Sequence, residues 1–260
     1  MTIEKYIGKI INADCLEFMK EIPDKSIDCI ICDLPYGTTA CSWDIKLPFD
    51  KLWEQYKRIR KDNTPIVLFG SQPFTTLLIS SNIKEFKYEW IWQKAVGSNF
   101  AKVKYQPLKE HENICVFSQN VHTYNPQKEN RNGNGLARLK NGYKSNGTVS
   151  EVTGIISNRM GKEYDDLKFP SSVQYFNNRD KDRGIHPTQK PVVLIEYLIK
   201  TYSNEGDLIL DNCSGSGTLA IACHNLKRRF ICIEKDCDYW KASVERLKIA
   251  QAQMKLDLKF

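Results

Sequence analysis

The sequence predicts a doubly wound α/β fold built on a mostly parallel β-sheet. Runs at 27–32, 65–69 and 207–210 are almost continuously apolar, which is typical of strands buried on both faces. These runs alternate with segments of helical spacing, and such alternation indicates a sheet with helices on both sides. The chain has 260 residues, of which 41% are hydrophobic and 27% charged, so it can bury an ordinary globular core.

The first 119 residues supply strands and helices in alternation. The first two predicted strands end at acids, Asp14 and Asp33. Pro73 lies near the start of a helix that opens with Gly70-Ser71, a usual position for proline. In chain order, the predicted elements are strand 7–14, helix 16–21, strand 27–32, helix 49–60, strand 65–69, the helix after residue 71, and strands 88–93 and 112–118.

The segment 120–184 differs from the rest of the chain in composition. Asparagine and glycine are frequent in it, its hydrophobic periodicity fades, and it holds 11 Lys/Arg against 7 Asp/Glu. It therefore carries four of the seven net positive charges of the chain. Two interpretations stay open here: a long solvated insertion, or a lobe that faces a polyanion.

After residue 184 the α/β pattern returns. An amphipathic helix begins after Pro191, and the strand 207–210 leads into a glycine loop and a helix over 219–226. The strand 229–233 ends at Glu234 and is followed by a charged terminal helix. The predicted organisation is thus one domain in two halves, 1–119 and 185–260, with an insertion at 120–184.

Several classes of protein are excluded by these patterns. No apolar run approaches the roughly 20 residues of a membrane helix, and the N-terminus lacks the apolar core of a signal peptide. We therefore expect no membrane partner and a cytoplasmic location. The nine cysteines include a C-x-x-C at Cys29 and Cys32, but a strand points these two side chains to opposite faces. We expect reduced, buried thiols and no metal site.

The loop from Asp211 to Thr218 has the pattern of a nucleotide-like cofactor site. Gly215 and Gly217 allow the backbone to pass close to a ligand, and the next helix presents free N–H groups. Glu234 suits a carboxylate that accepts hydrogen bonds from two ribose hydroxyls. The loop lacks G-K-[ST] and the third glycine of the dinucleotide fingerprint, so an adenosyl cofactor without pyrophosphate fits best. The alternative is a tight turn beside a solvated glutamate.

A second unusual loop, Asp33-Leu-Pro-Tyr36, directly follows a buried strand. Pro35 stiffens the backbone, Tyr36 offers a flat face and Asp33 is a hydrogen-bond acceptor at the carboxyl edge of the sheet. These parts suit holding a planar amine in a fixed pose. The alternative is a simple turn beside a core tyrosine.

Together these motifs resemble those of the amino-methylating DNA methyltransferases. Asp33-Leu-Pro-Tyr36 resembles their D/N/S-P-P-Y motif, and Asp211–Thr218 resembles their S-adenosylmethionine loop. Ile11–Cys15 resembles the G-D-C stretch before the catalytic motif, and His186–Pro191 the element before the cofactor loop. The motif order resembles that of the permuted β group, over roughly residues 8–119 and 184–245. This implies a circularly permuted class I, Rossmann-like methyltransferase fold with a target-recognition insertion.

The resemblance implies methyl transfer from S-adenosyl-L-methionine to the N6 amino group of adenine in double-stranded DNA, with S-adenosyl-L-homocysteine as product. Asp33 and the Leu34 carbonyl would accept the two amine hydrogens, Pro35 would stiffen the loop, and Tyr36 would stack on a base flipped out of the duplex. Leu34 stands where the family has its first proline. Leucine keeps the carbonyl but not the fixed φ, so the loop is expected to be less preorganised and still active.

The resemblance also assigns residues to the cofactor: Asp211 and the Gly215–Gly217 backbone to the methionine end, and Glu234 to the ribose. For Lys190 the alternative is a surface charge beside a proline, and for His186 a structural hydrogen bond is expected. The implied cofactor-binding residues are Asp14, Cys15, Thr188, Lys190, Asp211, Cys213, Gly215, Gly217, Thr218 and Glu234. The insertion residues expected to bind phosphates or base edges are Lys128, Arg131, Arg138, Lys140 and Lys144. The stretch 90–104 also mixes aromatic residues and lysines, either at a catalytic face or as two core tryptophans beside a solvated lysine face.

Four alternatives stay open. An aspartate at the first motif position favours adenine in this family, which leaves N4-cytosine methylation as the nearest alternative. Methylation of RNA or of a protein amide is a more distant alternative, because the basic insertion favours DNA. The last alternative is a non-catalytic DNA-binding module, which the intact motifs disfavour. The resemblance also allows a homodimer and a cognate restriction endonuclease, in a bacterial or phage setting, which no residue of the sequence establishes.

Overall fold

The structure is a computed structural model that describes residues 3–39, 41, 43–131, 167–179 and 188–257. Two compact units are distinguished, one formed by residues 1–125 with 172–260 and the other by residues 126–171. In the described part of the second unit, β6 (Glu129–Asn130) pairs antiparallel with β7 (Leu167–Lys168). The functional site described below lies wholly within the first unit.

Eight strands of the described residues form the sheet of the first unit, in the order β1-β10-β9-β2-β3-β5-β4-β8. The first five strands in this order are mutually parallel, β5 runs antiparallel to β3 and β4, and β8 pairs parallel with β4. The strands are β1 (Lys9–Asn12), β2 (Cys29–Cys32), β3 (Ile66–Gly70), β4 (Phe86–Ser98), β5 (Lys109–Phe117), β8 (Val173–Phe176), β9 (Leu208–Asp211) and β10 (Arg229–Glu234).

Helices cover both faces of this sheet, as the apolar strands predict. One core layer contains Ile30, Leu68 and Leu210 and is covered by the first three helices; the other contains Ile31, Val67 and Ile209 and is covered by the last three. The helices are α1 (Cys15–Met19), α2 (Phe49–Ile59), α3 (Phe74–Ser81), α4 (Val192–Tyr202), α5 (Thr218–Asn225) and α6 (Cys237–Asp257). The predicted α/β class with a mostly parallel sheet is confirmed.

The cysteines follow the expectation from strand geometry in most positions. Cys29 belongs to one core layer and Cys32 to the other, so the C-x-x-C pair cannot share a ligand. Six cysteines are buried, whereas Cys41 and Cys237 are exposed and Cys213 is half-buried. In the described part of the chain, no group of His, Cys, Asp and Glu has the arrangement of a metal site. None of the described helices is both long enough and apolar enough to cross a membrane.

The edge of the sheet shows two features that the sequence pattern did not predict. The strands expected at 88–93 and 112–118 are longer, and they form an antiparallel pair that extends past the sheet core on the side of the strand carboxyl ends. In addition, β8, which lies within the segment 120–184, pairs with β4 as a strand of the main sheet. Half of the β8 side chains are exposed, so the strand has little apolar pattern to reveal it.

Candidate active site

One cavity of about 580 Å³ lies at the carboxyl edge of the parallel strands, a size that suits a cofactor-sized ligand. It lies where β2, β9 and β10 end. Ligands of open α/β sheets bind at this position, outside the carboxyl ends of the strands. Of the site residues predicted from the sequence, those that line the cavity are Asp14, Cys15, Asp33, Leu34, Pro35, Tyr36, Thr188, Lys190, Asp211, Cys213, Gly215, Thr218 and Glu234.

The acceptor loop, Asp33–Tyr36, begins directly after β2. Tyr36 donates its hydroxyl hydrogen to Asp33 Oδ1 at 2.7 Å, and the Lys190 ammonium pairs with Asp33 Oδ2. Burial raises the pKa of Asp33 above its ordinary value; Lys190 opposes this rise, and the nearby Glu112 carboxylate adds to it. Lys190 is buried and paired with Asp33, so the structure does not support its interpretation as a surface charge.

Two packing contacts fix the rest of the acceptor loop. Leu34 is 3% exposed and packs among the residues beneath α1 to α3, which anchors the loop at the position where the family has proline. The ring of Tyr36 stacks on Phe74 at the start of α3, with ring centroids 4.7 Å apart and planes inclined by 24°. The loop is therefore held by side-chain packing as well as by Pro35.

Asp44 anchors the chain just beyond the acceptor loop, and sequence reasoning missed it. Its carboxylate accepts hydrogen bonds from the backbone N–H groups of Gly37, Thr38 and Thr39 at 2.7–2.9 Å. Burial acts to raise the pKa of Asp44, but these hydrogen bonds outweigh it and hold the pKa below its ordinary value. A single aspartate seven residues after a glycine has no recognisable sequence signal.

Glu112 is a further residue at the site that the sequence did not reveal, and it pairs with Lys94 of the stretch 90–104. Glu112 lies on β5 and lines the cavity, and Lys94 on β4 donates to Glu112 Oε1 at 2.5 Å. Burial acts to raise the pKa of Glu112, yet Lys190 and Lys94 hold it below its ordinary value. Glu112 and Lys94 come together because β4 pairs with β5, and Lys190 reaches Glu112 from the segment just before α4. No local sequence motif encodes these contacts.

The glycine loop after β9 supplies the other half of the cavity. Asp211 ends β9 and accepts a hydrogen bond from the Cys213 N–H at 3.1 Å, and burial raises its pKa to about 7. Glu234 ends β10, and its carboxylate accepts the backbone N–H of Gly215 at 2.6 Å and that of Asp236 at 2.8 Å. Burial raises the pKa of Glu234 despite these donors. One buried acid, Asp211, and one half-buried acid, Glu234, thus face the cavity beside an open backbone turn.

Two other predicted site residues near this loop, Asp14 and Gly217, contact neighbouring helices. Asp14 caps α1 by accepting the Leu16 N–H at 3.0 Å and pairs with Lys235. Gly217 does not line the cavity: it has φ +72° and lies so close to Ser243 on α6 that a Cβ would approach within 2.9 Å. Its glycine identity therefore serves helix packing. Arg138, Lys140, Lys144 and His186 lie outside the described residues.

The cavity fits S-adenosyl-L-methionine by its chemistry. Asp211 and Glu234 are the anionic groups that a cationic amino-acid end and a ribose diol require, and no Gly-Lys-Ser phosphate loop competes for the space. Opposite them, the acceptor loop faces the same cavity with hydrogen-bond acceptors for an amine. A parallel sheet with a cofactor loop and an acceptor loop at one edge is typical of the methyltransferases that depend on S-adenosyl-L-methionine.

Comparison with known proteins identifies the family. The family model described as DNA methylase, of the N6/N4 type, matches residues 27–245, and the chain belongs to this family. M.HpaI, a type II methyltransferase of Haemophilus parainfluenzae, is 29% identical over 92% of this chain and 74% of its own length. The DNA adenine methyltransferase YhdJ of Escherichia coli is 27% identical over 93% of this chain and 83% of its own.

Solved structures confirm the fold. The M1.HpyAVI–SAM complex aligns with a TM-score of 0.61 and 21% identity, covering 92% of this chain and 98% of that one. The cytosine-N4-specific PvuII DNA methyltransferase aligns with a TM-score of 0.62 and 15% identity, covering 92% and 88%. The predictions of a DNA methyltransferase and of S-adenosyl-L-methionine as cofactor are confirmed, whereas the methylated base is a separate question.

Proposed function

We propose that this enzyme methylates the N6 amino group of adenine in double-stranded DNA after flipping the base out of the duplex. The observation that carries the proposal is the pair of acceptors, Asp33 and the Leu34 carbonyl, on a loop lining the same cavity as the glycine loop. The aspartate at the first motif position and the adenine-specific name of YhdJ both favour adenine. The alternative is N4-cytosine methylation, which the likeness to the PvuII enzyme keeps open.

The acceptor loop is suited to activating an exocyclic amine. Such an amine is a poor nucleophile because its lone pair is delocalised into the ring. When Asp33 and the Leu34 carbonyl accept its two hydrogens, the nitrogen rehybridises toward sp³ and its lone pair is directed away from the ring. When bound, S-adenosyl-L-methionine supplies the electrophilic methyl group, whose C–S bond breaks as the N–C bond forms. The nitrogen then sheds one proton, for which Asp33 is the adjacent acceptor.

Tyr36 and the cofactor acids complete the proposed division of roles. The Tyr36 ring, stacked on Phe74, extends an aromatic platform on which a flipped base can stack. Asp211 and the Gly215 backbone would hold the methionine end, Glu234 the ribose, and Asp14 with Cys15 the adenine edge. Thr188 and Lys190 would lie near the methionine carboxylate or the acceptor loop, and Cys213 lines the same cavity. These assignments follow from the family resemblance and from the lining of the cavity.

A structured basic loop supports duplex DNA as the substrate. Residues 99–108 join β4 to β5 at the catalytic edge of the sheet, and they include Lys102 and Lys104 but no acid. Phe100 and Tyr105 are 61% and 89% exposed on this loop. The backbone is ordered by a hydrogen bond from the Lys109 N–H to Asn99 Oδ1 and by a short helical turn at residues 100–102, and both aromatic side chains are exposed to solvent. Exposed aromatics among cations suit a nucleic-acid contact.

Of the predicted insertion residues, Lys128 and Arg131 are within the described part of the chain. Lys128 lies over the Phe169 ring at 5.7 Å in the second unit. Phosphate or base contacts by these residues stay a prediction, as do a homodimer, a cognate endonuclease and a cytoplasmic location.

Methylation-aware long-read sequencing tests the proposed reaction. DNA from cells that express the chain is compared with DNA from cells that express the Asp33→Ala variant. We expect N6-methyladenine at one short motif in the first sample only. N4-methylcytosine at a motif would keep the mechanism and overturn the choice of base. An unchanged pattern in the variant would remove Asp33 from the mechanism.

A further inference from the structure

Four side chains of alternating charge form a row beside the acceptor loop: Lys94, Glu112, Lys190 and Asp33. Lys94 Nζ lies 2.5 Å from Glu112 Oε1, Lys190 Nζ lies 3.4 Å from Glu112 Oε2, and Lys190 also pairs with Asp33 Oδ2. The side chains of Lys94, Glu112 and Lys190 are 8%, 14% and 7% exposed. The row sums to zero charge, and mutual pairing of this kind is what allows charges to be buried.

Both oxygens of Asp33 are already occupied within the chain. Oδ1 accepts from the Tyr36 hydroxyl and Oδ2 from the Lys190 ammonium. A target amine that donates a hydrogen to Asp33 Oδ2 competes with the Lys190 ammonium for that oxygen. The ammonium, like the amine, donates N–H hydrogens, so Lys190 holds the place on Asp33 that the substrate amine would take.

A second acceptor is available to Lys190 when it leaves Asp33. Glu112 Oε2 is buried, and within the described chain it has no hydrogen-bond partner at bonding distance. It lies 3.4 Å from Lys190 Nζ, so a small rotation of the lysine side chain would make this hydrogen bond. The other oxygen of Glu112 stays fixed by Lys94, which keeps Oε2 in place.

We propose that Glu112 is a positioning residue for methyl transfer: it receives the Lys190 ammonium when the target amine takes Lys190's place on Asp33. This inference rests on the proposed function. In the substrate-free enzyme Lys190 occupies Asp33 Oδ2, and in the substrate complex it is held by Glu112. The lysine remains charged and close to Asp33, so the carboxylate stays ionised while its acceptor oxygen is free for the amine.

The proposal predicts that Glu112 acts only through Lys190. Glu112→Gln removes the negative charge that attracts the ammonium, so Lys190 stays on Asp33 and competes with the amine. The single-turnover rate should fall by about 100-fold, since loss of correct positioning has effects of that size. Cofactor affinity should change by less than about threefold, because the ion pairs of Glu112 among the described residues go to Lys94 and Lys190 and not to the glycine loop. Glu110→Gln, at an exposed position of the same strand, is the matched control.

The experiment is a double-mutant cycle of Glu112→Gln and Lys190→Met, measured with saturating S-adenosyl-L-methionine and cognate duplex, at a pH above the acid limb of every variant. We expect Glu112→Gln to have little further effect once Lys190 is gone. The melting temperature and the cofactor dissociation constant of each variant show whether the site is intact. If Glu112→Gln does not fold, Glu112→Asp, which keeps the charge but retracts it from Lys190, takes its place in the cycle.

The possible outcomes separate this inference from the proposed function. An equal loss of rate in both backgrounds would show that Glu112 acts independently of Lys190 and would overturn the inference. An unchanged rate in Glu112→Gln would overturn it as well. A wild-type chain that transfers no methyl group to any DNA would overturn the proposed function, and the inference with it.

Discussion

Asp33 has to be ionised to accept a hydrogen from the target amine, and its burial works against that requirement. Burial raises the pKa of Asp33, with Lys190 opposing the rise and Glu112 and Asp211 as the facing acids. As the pH falls through this raised pKa, the carboxylate is protonated and transfer stops. The acid limb of the single-turnover rate should therefore lie above the ordinary aspartate pKa of 3.8.

Lys190→Met tests the electrostatic part of this account. Removing the ammonium removes a positive charge that lowers the pKa of Asp33, so the acid limb should move to higher pH. Rate against pH, under single-turnover conditions, measures the shift. An acid limb that stays in place or moves to lower pH would show that Lys190 does not govern the charge of Asp33.

Asp211 makes a separate prediction about cofactor binding. Burial raises its pKa to about 7, with Glu234 and Asp33 adding to the rise, so the free enzyme holds it partly protonated near neutrality. A cationic ligand favours the ionised form, and S-adenosyl-L-methionine should therefore bind more tightly as the pH rises through about 7. Calorimetric titration across that range measures the effect. Asp211→Asn should weaken binding about 10- to 100-fold and flatten the pH dependence, whereas an unaltered slope would exclude Asp211 as its source.

At the scale of elements, the segment after β2 depends on Asp44. Asp44→Ala leaves three backbone N–H groups without their acceptor. Because the lost acceptor is a 7% exposed carboxylate, the free energy of unfolding should fall by about 1–3 kcal/mol. Denaturant unfolding measures this change. Asp44→Asn, which keeps one acceptor oxygen, is the control and should lose less; equal stability of wild type and Asp44→Ala would contradict the anchoring role.

The loop between β4 and β5 makes a prediction about salt dependence. If Lys102 and Lys104 bind phosphates, replacing both by alanine should lower the slope of log affinity against log salt by about 1.8, since each phosphate contact contributes about 0.9. Fluorescence anisotropy with duplex DNA at several salt concentrations measures the slope. The control is the Lys84→Ala, Lys87→Ala pair, two exposed lysines at the opposite end of β4. A similar change in both pairs would indicate general charge rather than this loop.

The elements that the sequence reveals and those it hides differ in how their side chains are buried. β2, β3 and β9 are buried on both faces, so their apolar runs predict the strands, and Asp33 and Asp211 stand at the carboxyl ends of β2 and β9. In the stretch 90–104, Trp90 and Trp92 are core residues and Lys102 and Lys104 are exposed, as the interpretation of core tryptophans beside a solvated lysine face has it, whereas the Lys94 side chain is only 8% exposed and pairs with Glu112 at the site. β8 alternates exposed and half-buried residues, which gives no comparable signal.

At the scale of the whole molecule, the two loops of the site were predictable and the contacts between them were not. Asp33 and Glu234 follow buried strands, and a parallel sheet brings all such strand ends to one edge. The pairing of Lys190 with Asp33 joins residues 157 positions apart, and it depends on how α4 packs on the sheet. Glu112 is placed by the β4–β5 pairing. The sequence pattern therefore predicts which edge of the sheet holds the site. The charged residues that shift the pKa of Asp33 become visible only in the tertiary structure.

The chain on either side of residues 126–171 is fastened to the main sheet unit. The Asn125 N–H donates to the Thr201 carbonyl at 2.7 Å, and the Ser172 carbonyl accepts from the Ile91 N–H at 2.8 Å, just before β8 begins. The chain is therefore hydrogen-bonded to the main sheet unit both just before residue 126 and just after residue 171. Replacing the stretch between them would leave both hydrogen bonds and the strands of the main sheet in place, so the residues of the cavity would keep their positions whatever sequence joined Asn125 to Ser172.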